Sequence, residues 1–329
     1  MRVLITGGCG FIGSNLAEYL VNKGYEVAVL DNLSRKNVTF NLKRIKEKVA
    51  FFHGDIRDLN ALSKAAKGCD VIVHTAAQVA VTTSLKNTKE DFEINAVGTF
   101  NVAEIARKND AKVVYCSTNK VYGDNVNKLP IVELDKRYDF KDKRGIDENF
   151  PISAEKHSPY GISKLVGELY LKEYNATYGM KNIINRMSCI YGVHQFGNED
   201  QGWIAHFVIS SIFNRPLTIY GNGKQVRDVL FITDLIELFE KQINSNEKGI
   251  FNVGGGKENT LSLLELLELL EEFNPRYSFA DWRPADQKVY YSNIQKVSKT
   301  FNWKPKVGPQ TGVKKLIQWV EENKHYFNN

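Results

Sequence analysis

The segment Gly7-Gly8-Cys9-Gly10-Phe11-Ile12-Gly13 constrains this chain more than any other. It follows the apolar run Val3-Leu4-Ile5 and opens a helical pattern, so a strand, a tight turn and a helix N-terminus are expected in that order. The spacing reads as GxxGxxG from Gly7 or as GxGxxG from Gly8. Glycines there permit a tight turn, close approach of backbone to a pyrophosphate, and close packing of helix on sheet. The unpaired N–H groups of the helix's first turn then face the phosphates.

The first half continues in the same style. Strand patterns at residues 2–6, 26–30, 49–53, 71–74, 112–116 and 182–185 alternate with helical patterns at 11–22, 59–67, 88–108 and 159–178. Such alternation predicts a parallel sheet with helices on both faces, and runs such as Val71-Ile72-Val73 suit strands buried on both sides. Past about Met187 the rhythm breaks, and one more unit, a helix at 234–242 and a strand at 250–253, is expected to rejoin the sheet. The reading is therefore a dinucleotide-binding domain over 1–187 plus about 228–254, and a smaller domain over 188–227 and 255–329. Ser262 and Glu265 form the sequence pattern of a capping box for a helix over 261–273. The polar stretch 124–149 reads as a long surface excursion and candidate lid.

Composition excludes other classes. With 43% hydrophobic and 25% charged residues the chain is ordinary for a globular protein. No apolar run is long enough to span a bilayer, and the start of the chain runs straight into a strand pattern rather than a signal peptide, so a cytoplasmic location is expected. The net charge of +6 is scattered among acidic residues, without the one-sided stripe of a nucleic-acid binder. Cys9, Cys69, Cys116 and Cys189 are far apart and the histidines lack ligand spacing, so neither a disulfide nor a metal site is expected.

Two further constellations carry chemistry. Asp31 ends the second strand, where a carboxylate accepts hydrogen bonds from both hydroxyls of an adenosine ribose and repels a 2′-phosphate, which favours NAD over NADP. Arg35 and Lys36 stand close by, and Asp31 alone reads equally well as a turn residue before Asn32. Tyr160 and Lys164 share one face of a helix that Ser158 caps and Pro159 opens. A free phenol, pKa about 10, is a poor base at neutral pH, and a nearby ammonium and an oxidised nicotinamide would lower it. Thr118, at the end of the fifth strand, stands where strand ends form a ligand crevice; its hydroxyl would align a reacting oxygen with Tyr160 or else cap the turn.

With these residues in place, the chain resembles the extended short-chain dehydrogenases that act as NAD-dependent epimerases and dehydratases on nucleotide sugars. Gly54-Asp55-Ile56-Arg57-Asp58, His74-Thr75-Ala76-Ala77, Asn95, and Arg186 before Tyr191-Gly192 extend the likeness over nearly the whole length. The resemblance implies an α/β fold: a Rossmann doubly wound parallel sheet with a smaller, mostly C-terminal α/β substrate-binding domain. It implies that Thr118, Tyr160 and Lys164 form the catalytic triad, and that NAD meets Gly7, Gly10, Phe11, Ile12, Gly13, Asp31, Asn32, Ser34, Arg35, Asp55, Ile56, Ala76, Ala77, Gln78 and Asn95, with Lys164 on the nicotinamide ribose.

Dehydratases of this class carry an acidic pair after the triad threonine; here stand Asn119 and Lys120, and asparagine cannot serve as a general acid. Several segments instead resemble the CDP-paratose 2-epimerase (CDP-tyvelose epimerase) group: Asp91-Phe92-Glu93-Ile94-Asn95, the stretch from Ser117 to Asp124, Asp200-Gln201-Gly202-Trp203, and the stretch from Gly221 to Leu230. That likeness implies inversion at carbon 2 of a CDP-hexose through a transient 2-keto sugar. Asn119 would then hold the sugar as it turns. Arg227 and Arg283 would grip the diphosphate, a task that suits guanidinium forks. The substrate set is completed by Gln78, Thr118, Arg186, Ser188, Gln201, Trp203, Gln225 and Asp286; for Trp203 a core position is an equal alternative. Family habit adds a homodimer, or a dimer of dimers, built on the helices at 88–108 and 159–178. A UDP-sugar 4-epimerase is the rival within the class, and a catalytically silent NAD-binding regulator the rival outside it.

Overall fold

The computed structural model describes residues 1–142, 144–153, 155–283 and 286–327. In chain order come β1 (Arg2–Thr6), α1 (Phe11–Asn22), β2 (Glu26–Asp31), α2 (Val38–Ile45), β3 (Ala50–His53), α3 (Leu59–Ala66), β4 (Val71–His74), α4 (Val81–Lys86), α5 (Thr88–Phe92), α6 (Gly98–Lys108) and β5 (Lys112–Thr118). Next come β6 (Ile131–Glu133), β7 (Tyr138–Phe140), α7 (Pro159–Thr177), β8 (Ile183–Met187), β9 (Cys189–Tyr191), α8 (Trp203–Ile212), β10 (Leu217–Tyr220) and β11 (Val226–Phe231). The chain closes with α9 (Ile232–Ile243), β12 (Gly249–Val253), β13 (Thr260–Ser262), α10 (Leu263–Leu269), β14 (Tyr277–Ala280), β15 (Val289–Tyr290), α11 (Gln295–Phe301) and α12 (Pro309–Glu322). Among the described residues no helix is long and apolar enough to cross a membrane.

Two compact units result. The first comprises Met1–Val121, Ser158–Arg186 and Ile236–Phe251, and the second Tyr122–His157, Met187–Leu235 and Asn252–Asn329. The sequence-based division differs from this one: it placed 122–157, Met187, 228–235 and 252–254 with the first domain, and they fall in the second unit.

The sheet of the first unit runs β12-β8-β5-β4-β1-β2-β3, with β3 to β2, β2 to β1, β1 to β4 and β4 to β5 all parallel. The order reverses direction at β1, which is the switch point of a doubly wound sheet. Register sets Ala28, Leu4, Ile72 and Val113 side by side, and this face packs on Leu62 and Ala65 of α3, Val102 and Ala106 of α6, and Leu171 of α7. Asp58 caps α3 through the N–H groups of Asn60 and Ala61. The helical pattern expected over 88–108 is realised as α5 and α6 joined by a single π turn at Glu93–Val97.

In the second unit β11 pairs with β13, β15 and β9, and β10 pairs with β14. The expected lid is something else. Residues 131–140 form the β6/β7 hairpin; Tyr138, Phe140 and Ile146 are buried, and the Phe140 ring lies 5.0 Å from that of Tyr291. The helix expected over 261–273 also starts later, at Leu263, because pairing with β11 claims residues 260–262 for β13. Its capping box is present: Glu265 N–H donates to Ser262 Oγ (3.1 Å), and Ser262 N–H to Glu265 Oε2 (2.8 Å).

The first unit holds one buried ion pair, and it corrects a sequence expectation. Arg186, assigned to substrate, is 4% exposed and forks onto Glu168 of α7, with Nη2 2.8 Å and Nε 3.0 Å from Oε2. Ser117 donates to the same carboxylate. The pair ties α7 to β8, so Arg186 serves packing. Removing one partner of such a pair strands a charge, whereas replacing both with apolar residues is often neutral. Glu168→Ala should therefore cost about 3–5 kcal/mol in urea unfolding. The double change Glu168→Leu with Arg186→Met should cost much less; equal losses would refute this account.

Candidate active site

The glycine turn closes by contacts that side chains would prevent. Gly7 has φ +68°, and a Cβ there would lie 2.7 Å from the Ala76 backbone after β4. A Cβ on Gly13 would lie 2.5 Å from Gly7 O, so α1 starts flush on the turn. Gly10 is the N-cap, and no side chain caps α1. Phe11 and Ile12 follow, both half-buried. An anion-ready helix end thus faces a backbone cradle.

Asp31 performs the turn role and more. Its Oδ1 accepts the Leu33 N–H (2.8 Å), and its Oδ2 accepts the Cys9 N–H (2.9 Å), which fastens the glycine turn to β2. Burial raises its pKa, while these bonds with His53 and Arg35 oppose the rise. A carboxylate offers about four acceptor positions, so capacity remains for ribose hydroxyls. Arg35 acts electrostatically on both Asp31 and Tyr160, and Ser34 is exposed. Asn32 donates to Asp55 (2.8 Å), whose carboxyl is held down to about 2, chiefly by Arg57. Ile56 points into the core against Gly98. The cradle, the uncapped helix end and the spare acceptors of Asp31 fit a dinucleotide.

Two residues assigned to the cofactor are spent elsewhere. Gln78 gives its amide protons to Ala80 O (3.0 Å) and Asp91 Oδ1 (2.8 Å), and its carbonyl accepts the Ala80 N–H (2.6 Å). Asn95 is buried, accepts the Gln78 N–H (3.0 Å) and donates to Gln78 O (2.9 Å). Together they brace the loop after β4, where Ala76 and Ala77 remain half-buried.

Thr118 ends β5, and its hydroxyl is bonded to the Tyr160 phenol at the start of α7. Ser158 caps that helix through the Gly161 N–H (3.1 Å), and Tyr160 N–H donates to Ser84 Oγ (3.2 Å). Burial pushes the Tyr160 phenol up to about 12; the Thr118 bond and Arg35 oppose it. Burial therefore dominates this phenol. The Lys164 ammonium lies 4.2 Å from the Tyr115 ring centroid, and burial pulls it down to about 8. Asn119 is buried beside Thr118, its Oδ1 3.4 Å from the Thr118 hydroxyl. A buried phenol–hydroxyl pair of this kind can exchange a proton with a sugar hydroxyl once positive charge is added nearby.

The second unit gathers the other assigned residues. Arg227 is buried and donates to Asp286 Oδ1 (2.5 Å) and Val226 O (2.8 Å). Arg283 stacks 3.9 Å from the Tyr220 ring centroid and donates to Glu199 O (3.1 Å). Gln225 donates to Tyr220 O (2.6 Å). Gln201 lies in a turn with Asn198, and the Trp203 indole donates to Cys189 Sγ (3.4 Å). Ser188 donates to buried Asp228, whose carboxyl desolvation raises to about 6.

Sequence reasoning missed Asp91, Ser163 and Ser84, which hold this constellation in place. Asp91 stood out only inside the segment Asp91-Phe92-Glu93-Ile94-Asn95, and its i,i+4 spacing to Asn95 was the further signal of a shared face.

The chain is 41% identical to the CDP-paratose 2-epimerase of Salmonella typhi, over 97% of this chain and 99% of that one. It is 35% identical to a putative UDP-glucose 4-epimerase of Methanocaldococcus jannaschii, over 98% and 99% of the two chains. Its fold superposes on the crystal structure of a Thermus thermophilus UDP-glucose 4-epimerase in complex with NAD with a TM-score of 0.83, at 31% identity and over 98% and 100% of the chains. The model of the NAD dependent epimerase/dehydratase family matches residues 3–254, and the chain belongs to that family as an NAD-using enzyme.

Proposed function

We propose that this enzyme inverts carbon 2 of a CDP-hexose. The observation that carries the reading is the buried cluster of Thr118, Tyr160 and Lys164, followed by Asn119 where a dehydratase needs an acid. The Salmonella typhi relative supports the choice of carbon and nucleotide. Carbon 2 of such a sugar has no neighbouring carbonyl, so its hydrogen is not acidic enough for simple removal. Oxidation to a 2-keto sugar, rotation and reduction from the other face avoid that step.

The glycine turn, Asp31 and Lys164 are assigned to NAD, which when bound supplies a hydride acceptor and donor. Tyr160 takes the proton of the sugar hydroxyl and later returns it. Thr118 aligns that oxygen, and Asn119 offers an amide to the sugar as it turns. Arg227 and Arg283 are assigned to the nucleotide diphosphate, with Gln201, Trp203, Gln225 and Asp286 beside them. Inversion at carbon 4 of a UDP-sugar is the second reading, favoured by the Methanocaldococcus relative.

A homodimer on α5, α6 and α7 accords with the apolar side chains these helices leave in solvent: Phe92, Phe100, Ile162, Leu169 (56% exposed) and Tyr170. Leu169→Glu together with Phe100→Glu should shift the chain to a monomer in analytical ultracentrifugation; an unchanged sedimentation coefficient would move the interface elsewhere.

Proton NMR with CDP-glucose in heavy water, without added cofactor, tests the reaction. A new manno-type anomeric signal with no deuterium gained at carbon 2 is expected. Exchange at carbon 2 would reject hydride return, and turnover of a UDP-sugar at carbon 4 in its place would select the second reading. Tyr160→Phe should keep bound NAD and lose turnover by about 10²-fold or more; retained activity would remove Tyr160 as the base.

A further inference from the structure

A buried carboxylate that the mechanism leaves unused stands next to its two ionisable groups. Asp91 of α5 is 1% exposed. Its Oδ2 accepts the Ser163 hydroxyl (2.6 Å), and its Oδ1 accepts amide protons from Gln78 (2.8 Å) and Asn95 (3.2 Å). Ser163 sits between Tyr160 and Lys164 on α7 and also contacts Tyr160 O at 3.1 Å. Both oxygens of Asp91 therefore only accept, which is the pattern of an ionised carboxylate. The π turn between α5 and α6 carries Asn95 to this point, so the distortion of that helix and the polar cluster share one place.

We propose that Asp91 is a positioning residue for catalysis: through Ser163, Gln78 and Asn95 it fixes the Tyr160 and Lys164 turn of α7 against the loop after β4, and it supplies the negative charge that both groups face. The inference rests on Tyr160 being the base and Lys164 its charged neighbour.

The other groups facing this pair are few. Cys116 and Tyr115 face it from β5, Glu168 from α7 with its charge met by Arg186, His74 from β4, and Arg35 from the loop after β2. Asp91 raises the pKa of both Lys164 and Tyr160. Loss of its charge therefore moves both in the same direction, downward.

Asp91→Asn keeps the frame, because the new amide accepts from Gln78 and Asn95 and donates to Ser163, which still donates to Tyr160 O. Ser163→Ala keeps the charge and loosens the frame. In the holoenzyme, Asp91→Asn should shift both limbs of the kcat against pH profile acidward by about one unit. Ser163→Ala should lower kcat about tenfold by misplacement, with the limbs unmoved. Asp91→Glu should return the limbs to their original place. A second readout needs no turnover: the tyrosinate absorbance difference between each protein and its Tyr160→Phe counterpart should report Tyr160 ionising about one unit lower in Asp91→Asn. Unmoved limbs with an unmoved tyrosinate titration would overturn the proposal. If the wild type turns over no sugar nucleotide, the reaction reading fails while the titration still decides the role of Asp91. If Asp91→Asn does not fold, Ser163→Ala decides: wild-type kcat in that variant overturns the positioning role.

Discussion

An ammonium group 2% exposed is the constraint around which the first unit is arranged. Burial disfavours the charged form of a lysine, and Lys164 is drawn down only to about 8, so much of that penalty is offset. The offset comes from the fields of Cys116, Glu168 and Asp91, and a Tyr115 ring lies 4.2 Å away. Among the described residues no carboxylate forms a salt bridge with it. A bonded carboxylate would stabilise the charge more and would also consume the donors. Charge held by a field and a ring leaves those donors for a ligand.

The neighbouring polar groups follow from the same requirement. His74 is fully buried, bonded to Thr6 and Thr99, and its pKa lies well below the ordinary value, so it adds no second cation beside Lys164. Glu168 is matched by Arg186, which keeps its carboxylate off the ammonium while its field remains. The phenol is the converse case. Burial drives Tyr160 to about 12, where proton release at neutral pH is unfavourable, and the Thr118 bond and Arg35 remove only part of that. Such a group becomes a useful base only when positive charge arrives. On the proposed assignment of Tyr160 as the base, proton transfer depends on cofactor occupancy, because burial holds the phenol protonated until positive charge is added.

What the sequence revealed and what it hid divide by distance along the chain. The glycine turn, the Ser158 cap, the Ser262 capping box and the Tyr160 and Lys164 spacing are local, and each is found as read. Arg186 was misassigned because its partner, Glu168, lies eighteen residues away on another element. Gln78 and Asn95 were assigned to the cofactor through the family resemblance alone; their side chains bond each other's residues and Asp91. The charge-rich stretch 124–149 suggested a lid because its polar residues outnumber the few that anchor it, Tyr138, Phe140 and Ile146. Alternation in a three-residue strand is too short to outweigh composition.

The second unit shows preorganisation of another kind. A guanidinium left to itself samples many rotamers, and ordering it on binding costs about 0.5–1.5 kcal/mol per side chain. Here Asp286 already holds the fork of Arg227, and Glu199 with the Tyr220 ring holds Arg283. A diphosphate that shares these arginines meets forks already ordered, and the acids lose only part of their bonding. Gln225 goes further in the same direction. Its amide nitrogen is fixed on Tyr220 O, while its oxygen, in a side chain only 4% exposed, has no partner. An unsatisfied buried acceptor costs about 1–3 kcal/mol, so a donor brought to that oxygen, by water or by a ligand, is favoured there.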